Sequence, residues 1–149
     1  MNIYDAIIPA QSLGGFKLKD NIKVYSDIIE EYELNGKLKF FQTNAYSCRY
    51  TFYEVPVEVN VDITTGLIYK ISALSGYQGD FNSIKIGMPI RKVLDLKLGF
   101  YYDECEEAFF SKKIQGISLE VSEDDPPLEE VEGMNIQYIS VFDPSIFIV

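Results

Sequence analysis

Eleven carboxylates crowd residues 103–132 of this 149-residue chain: Asp103, Glu104, Glu106, Glu107, Glu120, Glu123, Asp124, Asp125, Glu129, Glu130 and Glu132. Only Lys112 and Lys113 oppose them. Such a cluster has three chemical uses. It can hold a hard cation, but DDPPLEEVE lacks the D-x-[DN]-x-[DN]-G spacing of a calcium loop, and Pro126-Pro127 stiffens the segment instead of wrapping it round an ion. It can supply an acid–base pair for glycoside chemistry, but nothing in the spacing selects two carboxylates from so many. It can also act as a field, and a concentrated negative surface draws in a basic macromolecule and turns nucleic acid away.

Other chemistries find little to work with. Histidine is absent, which removes the commonest general base and the commonest metal ligand. Cys48 and Cys105 lie far apart without C-x-x-C spacing, so two reduced, mostly buried thiols are expected and neither a disulfide framework nor a zinc site. SLGGF and GYQGD lack the strand, lysine and helix of a phosphate cradle, and their glycines are expected to make turns. No cofactor and no metal are expected, and no enzyme, although catalysis by carboxylates or tyrosine alone is a rival. No apolar run approaches the ~20 residues that span a bilayer. The opening MNIYDAIIPAQSLGG has no basic leader and places Asp5 before its apolar IIPA, so no secretory signal and a cytoplasmic location are expected.

The elements that must position these residues show themselves by repetition. FKLKDNIKVYSDI, residues 16–28, overlies IKIGMPIRKVLDL, residues 84–96, placing Lys17 on Lys85, Ile22 on Ile90 and Asp27 on Asp95. LIYKISA, residues 67–73, overlies NIQYISV, residues 135–141, placing Ile68 on Ile136 and Ser72 on Ser140 at the same separation of 68 residues. Two matches with one period predict a tandem unit. In the first copy Asp20 is the expected N-cap, with Ile22, Tyr25, Ile28, Ile29 and Tyr32 at helical spacing up to Asn35-Gly36. In the second, Pro89 is expected at N1, Ile90, Val93 and Leu94 form the stripe, and Gly99 ends the helix.

Strands follow each helix. VEVNVDI alternates throughout, with Val57, Val59, Val61 and Ile63 facing one way, and Thr64-Thr65-Gly66 turns it into LIYKISAL. ISLEVS alternates likewise, and NIQYISVF is its return strand after the long EDDPPLEEVEG. LKFF, CRYTFY and EAFFS are further aromatic strands. The expected fold is α+β, one domain over residues 1–149. It comprises two tandem helix-plus-antiparallel-meander units, about 1–74 and 75–149, sharing one sheet of roughly six to eight strands with helices on one face. The other face is free to bind.

Charge divides between the halves: net −2 over residues 1–74 and −8 over 75–149, within a total of −10. The expected partner surface is therefore in the second unit: Tyr101 and Tyr102 beside Asp103, Glu104, Glu106 and Glu107, then Glu123, Asp124, Asp125, Glu129 and Glu130. Tyrosine supplies anchors at interface centres, and Tyr46, Tyr50, Tyr53 and Tyr77 also fall near expected strand starts and loop edges.

IKIGMPIRKVLDLKLG, residues 84–99, resembles the repeat of the beta-lactamase inhibitor protein fold, with one residue of spacing missing. The first copy departs from it, with Lys19 in place of the glycine and Asp20 in place of the methionine. The tandem layout, SLGGFKL and the GYQGD link are similar to cytoplasmic immunity proteins of bacterial contact-dependent growth inhibition and related polymorphic toxin systems. The resemblance implies a non-enzymatic inhibitor that binds one cognate toxin domain, often a nuclease, as a monomer when free, with no nucleic-acid or membrane partner. It assigns no interface residue by position. The alternative is an assembly adaptor of the same repeat fold.

Overall fold

Two consecutive glycines, Gly14 and Gly15, take positive φ of 65° and 83°, as a two-residue hairpin turn requires. They join β1 (Ser12–Leu13) to β2 (Phe16–Lys17), a two-stranded sheet that buries Leu13 and Phe16. The structure, a computed structural model, describes residues 5–122 and 127–146. SLGGF is thus a hairpin and not merely a turn.

A 3-10 turn over Ile22–Tyr25 runs into α1 (Ser26–Leu34). Its N-cap is Asn21, whose side chain accepts from the Lys23 N–H. Asp20, the expected cap, instead accepts a hydrogen bond of 2.8 Å from the Tyr25 hydroxyl. Ile22, Tyr25, Ile29 and Tyr32 pack on the core as their spacing predicts, whereas Ile28 of the same expected stripe does not. The second helix, α2 (Ile90–Asp95), starts one residue later than expected, with Pro89 as N-cap in extended conformation. Ile90 and Val93 are buried, and the helix is capped at Leu96, before Gly99.

One antiparallel sheet of eight strands carries the rest: β3 (Leu38–Asn44), β4 (Ser47–Phe52), β5 (Val57–Asp62), β6 (Ile68–Ala73), β7 (Phe100–Asp103), β8 (Ala108–Ser111), β9 (Ile117–Val121) and β10 (Ile136–Phe142). Across the sheet the order is β3-β4-β5-β6-β10-β9-β8-β7. The chain is thus α+β, with few helical residues and one large antiparallel sheet. Two four-stranded meanders meet where β6 pairs with β10, with Ser72 opposite Ser140 and Ile71 opposite Val141.

Alternation decides which side chains meet. Phe52, Val57, Ala73, Ile139, Leu119, Phe109 and Tyr102 form one row across seven strands. Val59, Ile71, Val141 and Ile117 form the next. These residues belong to the core cluster onto which α1, α2 and the β1–β2 hairpin pack. At ~25 cal/mol per Å² of apolar surface removed from water, this face is the main source of stability.

Three details differ from the alternation read in the sequence. β7 carries no alternation that marks it as a strand, because its aromatic FYY runs straight into acids. Ile63 lies past the end of β5 and is exposed, its N–H held by the Tyr46 carbonyl. Ladder irregularities interrupt the pairing beside Tyr69 and Gln137, so the strict period of two fails there.

Candidate protein-binding surface

The reverse of the sheet carries another set of residues. Lys39, Thr51, Glu58, Ser72, Ser140, Ser118, Phe110 and Tyr101 form a row that crosses all eight strands. Its centre is three small hydroxyls. Ser72, Ser118 and Ser140 are buried, and Lys70, Phe110, Glu120 and Phe142 stand around Ser118. The Ser72 and Ser140 hydroxyls satisfy each other at 2.7 Å.

The charge on this face is mixed. Arg49 faces Glu58 at 3.8 Å and Lys70 faces Glu120 at 3.9 Å. The Arg49 guanidinium also lies over Phe41, Lys39 over Tyr53 and Lys112 over Tyr101, each 5.5–5.7 Å from the ring centre. A shallow recess of about 460 Å³ opens among Lys39, Phe41, Arg49, Tyr53, Glu58 and Tyr138. Arg49 Nε is shut off from solvent there without a hydrogen-bond partner among the described residues.

The described acids expected at the partner surface gather at one end of the sheet. Strands β8 and β9 run antiparallel with Phe109 opposite Leu119. The β7–β8 turn and the β9–β10 connection therefore leave from the same end. The turn presents Glu104, Glu106 and Glu107, all exposed, while Asp103 accepts the N–H groups of Cys105 and Glu106 and so shapes it. In the connection, α3 (Leu128–Val131) exposes Glu129 and Glu130 and tucks Val131 into the core. The backbone around it docks on the start of α2, with Arg91 N–H donating to the Glu132 carbonyl. Glu123, Asp124 and Asp125 lie outside the described residues.

The tyrosine pair separates. Tyr101 lies on the open face and is 40% exposed, whereas Tyr102 points to the covered face and packs against Phe109 with ring centres 5.1 Å apart. Neighbours on a strand face opposite ways, so YY offers one ring to each side. Tyr46 and Tyr53 are exposed. Tyr77 is a core strut: its hydroxyl accepts from the Gly14 N–H and donates to the Asp5 carbonyl. Sequence reasoning missed Phe40 and Phe41, 58% and 55% exposed on β3. Their aromatic run reads as a strand, and no local signal marks β3 as an edge strand.

Cys48 is buried, and that burial pushes its thiol up, away from nucleophilic character. Cys105 is exposed in the acidic turn, contrary to the expected burial. No group of three potential metal ligands occurs among the described residues, and none of their helices is long and apolar enough to cross a membrane.

These features define an α+β protein with a half-covered antiparallel sheet. Among solved structures, the fold is similar to the crystal structure of the uncharacterized protein yfeY from Escherichia coli, at a TM-score of 0.52 and 16% identity. The likeness covers 76% of this chain and 87% of that one. No protein-family model and no curated protein matches the chain.

Proposed function

We propose that this chain is a non-catalytic binding protein that neutralises a cognate basic toxin domain, in the manner of cytoplasmic bacterial immunity proteins. One observation carries the reading: Glu104, Glu106, Glu107, Glu129 and Glu130 stand exposed at one end of the eight-stranded sheet. A nuclease-type toxin needs a cationic groove for its phosphates, and that groove is complementary to this end. A field of this kind raises encounter rates by ~10 to 10³, and Tyr101 and Tyr53 stand on the adjoining face as anchors.

We also read the two meanders as copies of one unit. The 68-residue offset that aligns Ser72 with Ser140 in sequence is also the separation of the two hydroxyls that touch at the sheet centre. Duplication leaves the second copy free to gather acids while the first keeps a near-neutral charge.

The test is co-expression with the C-terminal toxin domain of a secreted protein encoded beside this chain. Growth arrest by that domain should be relieved by the chain, and arrest that persists despite soluble chain overturns the reading. In the purified pair, the triple reversal Glu104→Lys, Glu106→Lys, Glu107→Lys should lower the association rate about tenfold at low salt. Stability should change by less than about 0.5 kcal/mol, because the three side chains are exposed.

A further inference from the structure

β3 is the outermost strand on its side of the sheet, and its outer margin is bare. Residues 39–44 are all exposed. Tyr53 N–H donates to the Lys37 carbonyl, so Leu38, Phe40 and Gln42 turn their N–H and C=O groups away from β4. No hydrogen bond to those outward groups occurs among the described residues. Natural edges of this kind are blunted by proline, by bulges or by charge. Here the irregularity begins only after Gln42, residues 38–42 contain no proline, and Lys39 is their one charge. The other cations beside the strand already face acids: Lys37 lies 2.6 Å from Glu54 and Arg49 3.8 Å from Glu58. What the margin offers is rings, with Phe40 and Phe41 exposed on it and Tyr46 and Tyr53 exposed at either end of β4.

We infer that two copies of this chain pair β3 to β3 about a two-fold axis at Phe40, extending one antiparallel sheet through both. Leu38 then exchanges backbone hydrogen bonds with Gln42 of the second copy, and Phe40 with its own counterpart. On the covered face Phe40 meets Phe40, which joins two Phe40–Tyr50 ring pairs, each 5.1 Å between centres, into one row. On the open face Lys39 of each copy stands across from Phe41 of the other. Aromatic pairs across a ladder and an ammonium against a ring are favourable combinations. An axis at Lys39 would oppose two ammonium groups, and an axis at Phe41 would bring the irregular Asn44 into the ladder. Charge also permits the pairing. Copies with a net charge of −10 repel, but the acidic β7–β8 turn lies at the far end of the strand order from β3. With strands ~4.8 Å apart, that turn is ~30 Å from the axis in each copy, well beyond the ~10 Å over which exposed charges act in 0.1 M salt. A patch that pairs with itself closes at two copies. The dimer departs from the monomer expected of the free chain, leaves the acidic end uncovered and does not depend on the toxin reading.

Sedimentation velocity of the purified chain tests it. The mass should rise with concentration from 17.0 kDa to twice that value and no further. Phe40→Pro removes an N–H that β4 does not use and should hold the chain at monomer mass. Should it fail to fold, judged by circular dichroism, Phe40→Lys replaces it, setting two like charges against each other at the axis. The register is read by oxidation. Phe40→Cys with Cys105→Ser should trap a covalent dimer, because residues directly opposite on a ladder stand ~5.5 Å apart at Cα, within reach of a disulfide. Thr43→Cys with Cys105→Ser should not, because the two positions lie six residues apart along the paired strands, ~20 Å. A wild-type chain that stays at monomer mass up to about 1 mM, the weak end of specific association, overturns the inference and leaves the edge to a strand of another protein. So does a folded Phe40 variant that associates as the wild type does, a mass that climbs past two copies, or Phe40→Cys that cross-links no faster than Thr43→Cys.

Discussion

The two faces of the sheet use the same strands for opposite ends. On the covered face Val57, Val59, Ile71, Leu119, Ile139 and Val141 are fully buried beneath helices and a hairpin. On the open face the centre is serine, the surround is paired charge, and rings lie under cations. The difference teaches that stability and recognition are separated by the period-two pleat. Adjacent residues such as Leu119 and Glu120, or Tyr101 and Tyr102, serve different purposes. Substitutions one position apart should therefore read out differently.

The sharpest contrast is expected from Leu119→Ala. It opens a cavity in the row between Ile139 and Phe109, and should lower unfolding stability by about 3 kcal/mol in a urea titration. A loss below about 1 kcal/mol would break the assignment of stability to this face. The open face should give less. Ser140→Ala leaves the buried Ser72 hydroxyl without its 2.7 Å partner and should cost about 1 kcal/mol, while Ser72→Ala added to it should recover most of that loss. Additive losses in this cycle would mean that the hydroxyls do not act as a pair.

The smallest expected effect is in alkali and belongs to the covered side. Burial first, and the hydrogen bond donated to Asp20 second, push the Tyr25 phenol from 10.0 up to about 12. The folded chain then holds a proton that the unfolded chain releases. This contribution is intact below about pH 10 and is lost as pH rises through about 12. Tyr25→Phe should flatten that part of the stability–pH curve, and an unchanged alkaline slope would assign it to another group.

The covered face was legible in the sequence because burial on one side writes itself as alternation. Val57, Val59 and Val61 of VEVNVDI and the apolar residues of ISLEVS point inward, and only Ile63, past the strand end, departs from the pattern. The 68-residue offset aligns Ser72 with Ser140, the two hydroxyls that meet at the sheet centre. What escaped depends on register between distant strands. Lys70 meets Glu120 and Arg49 meets Glu58 only once strand order is fixed, so the mixed charge of the open face has no local signature. β7 was hidden because its aromatics run into an acidic turn, and the edge position of β3 is a property of the whole sheet. For the candidate site, the identity of the acids was readable, but their gathering at one end was not.

The place of β10 has a consequence for biosynthesis. It is the last of the eight strands to leave the ribosome, yet it belongs in the middle, between β6 and β9. Until it arrives, the nascent chain carries two raw sheet margins, one from each half, that only this insertion can seal. Such margins are where newly made chains stick to one another, so the seconds before β10 emerges are the interval in which this protein most needs a chaperone.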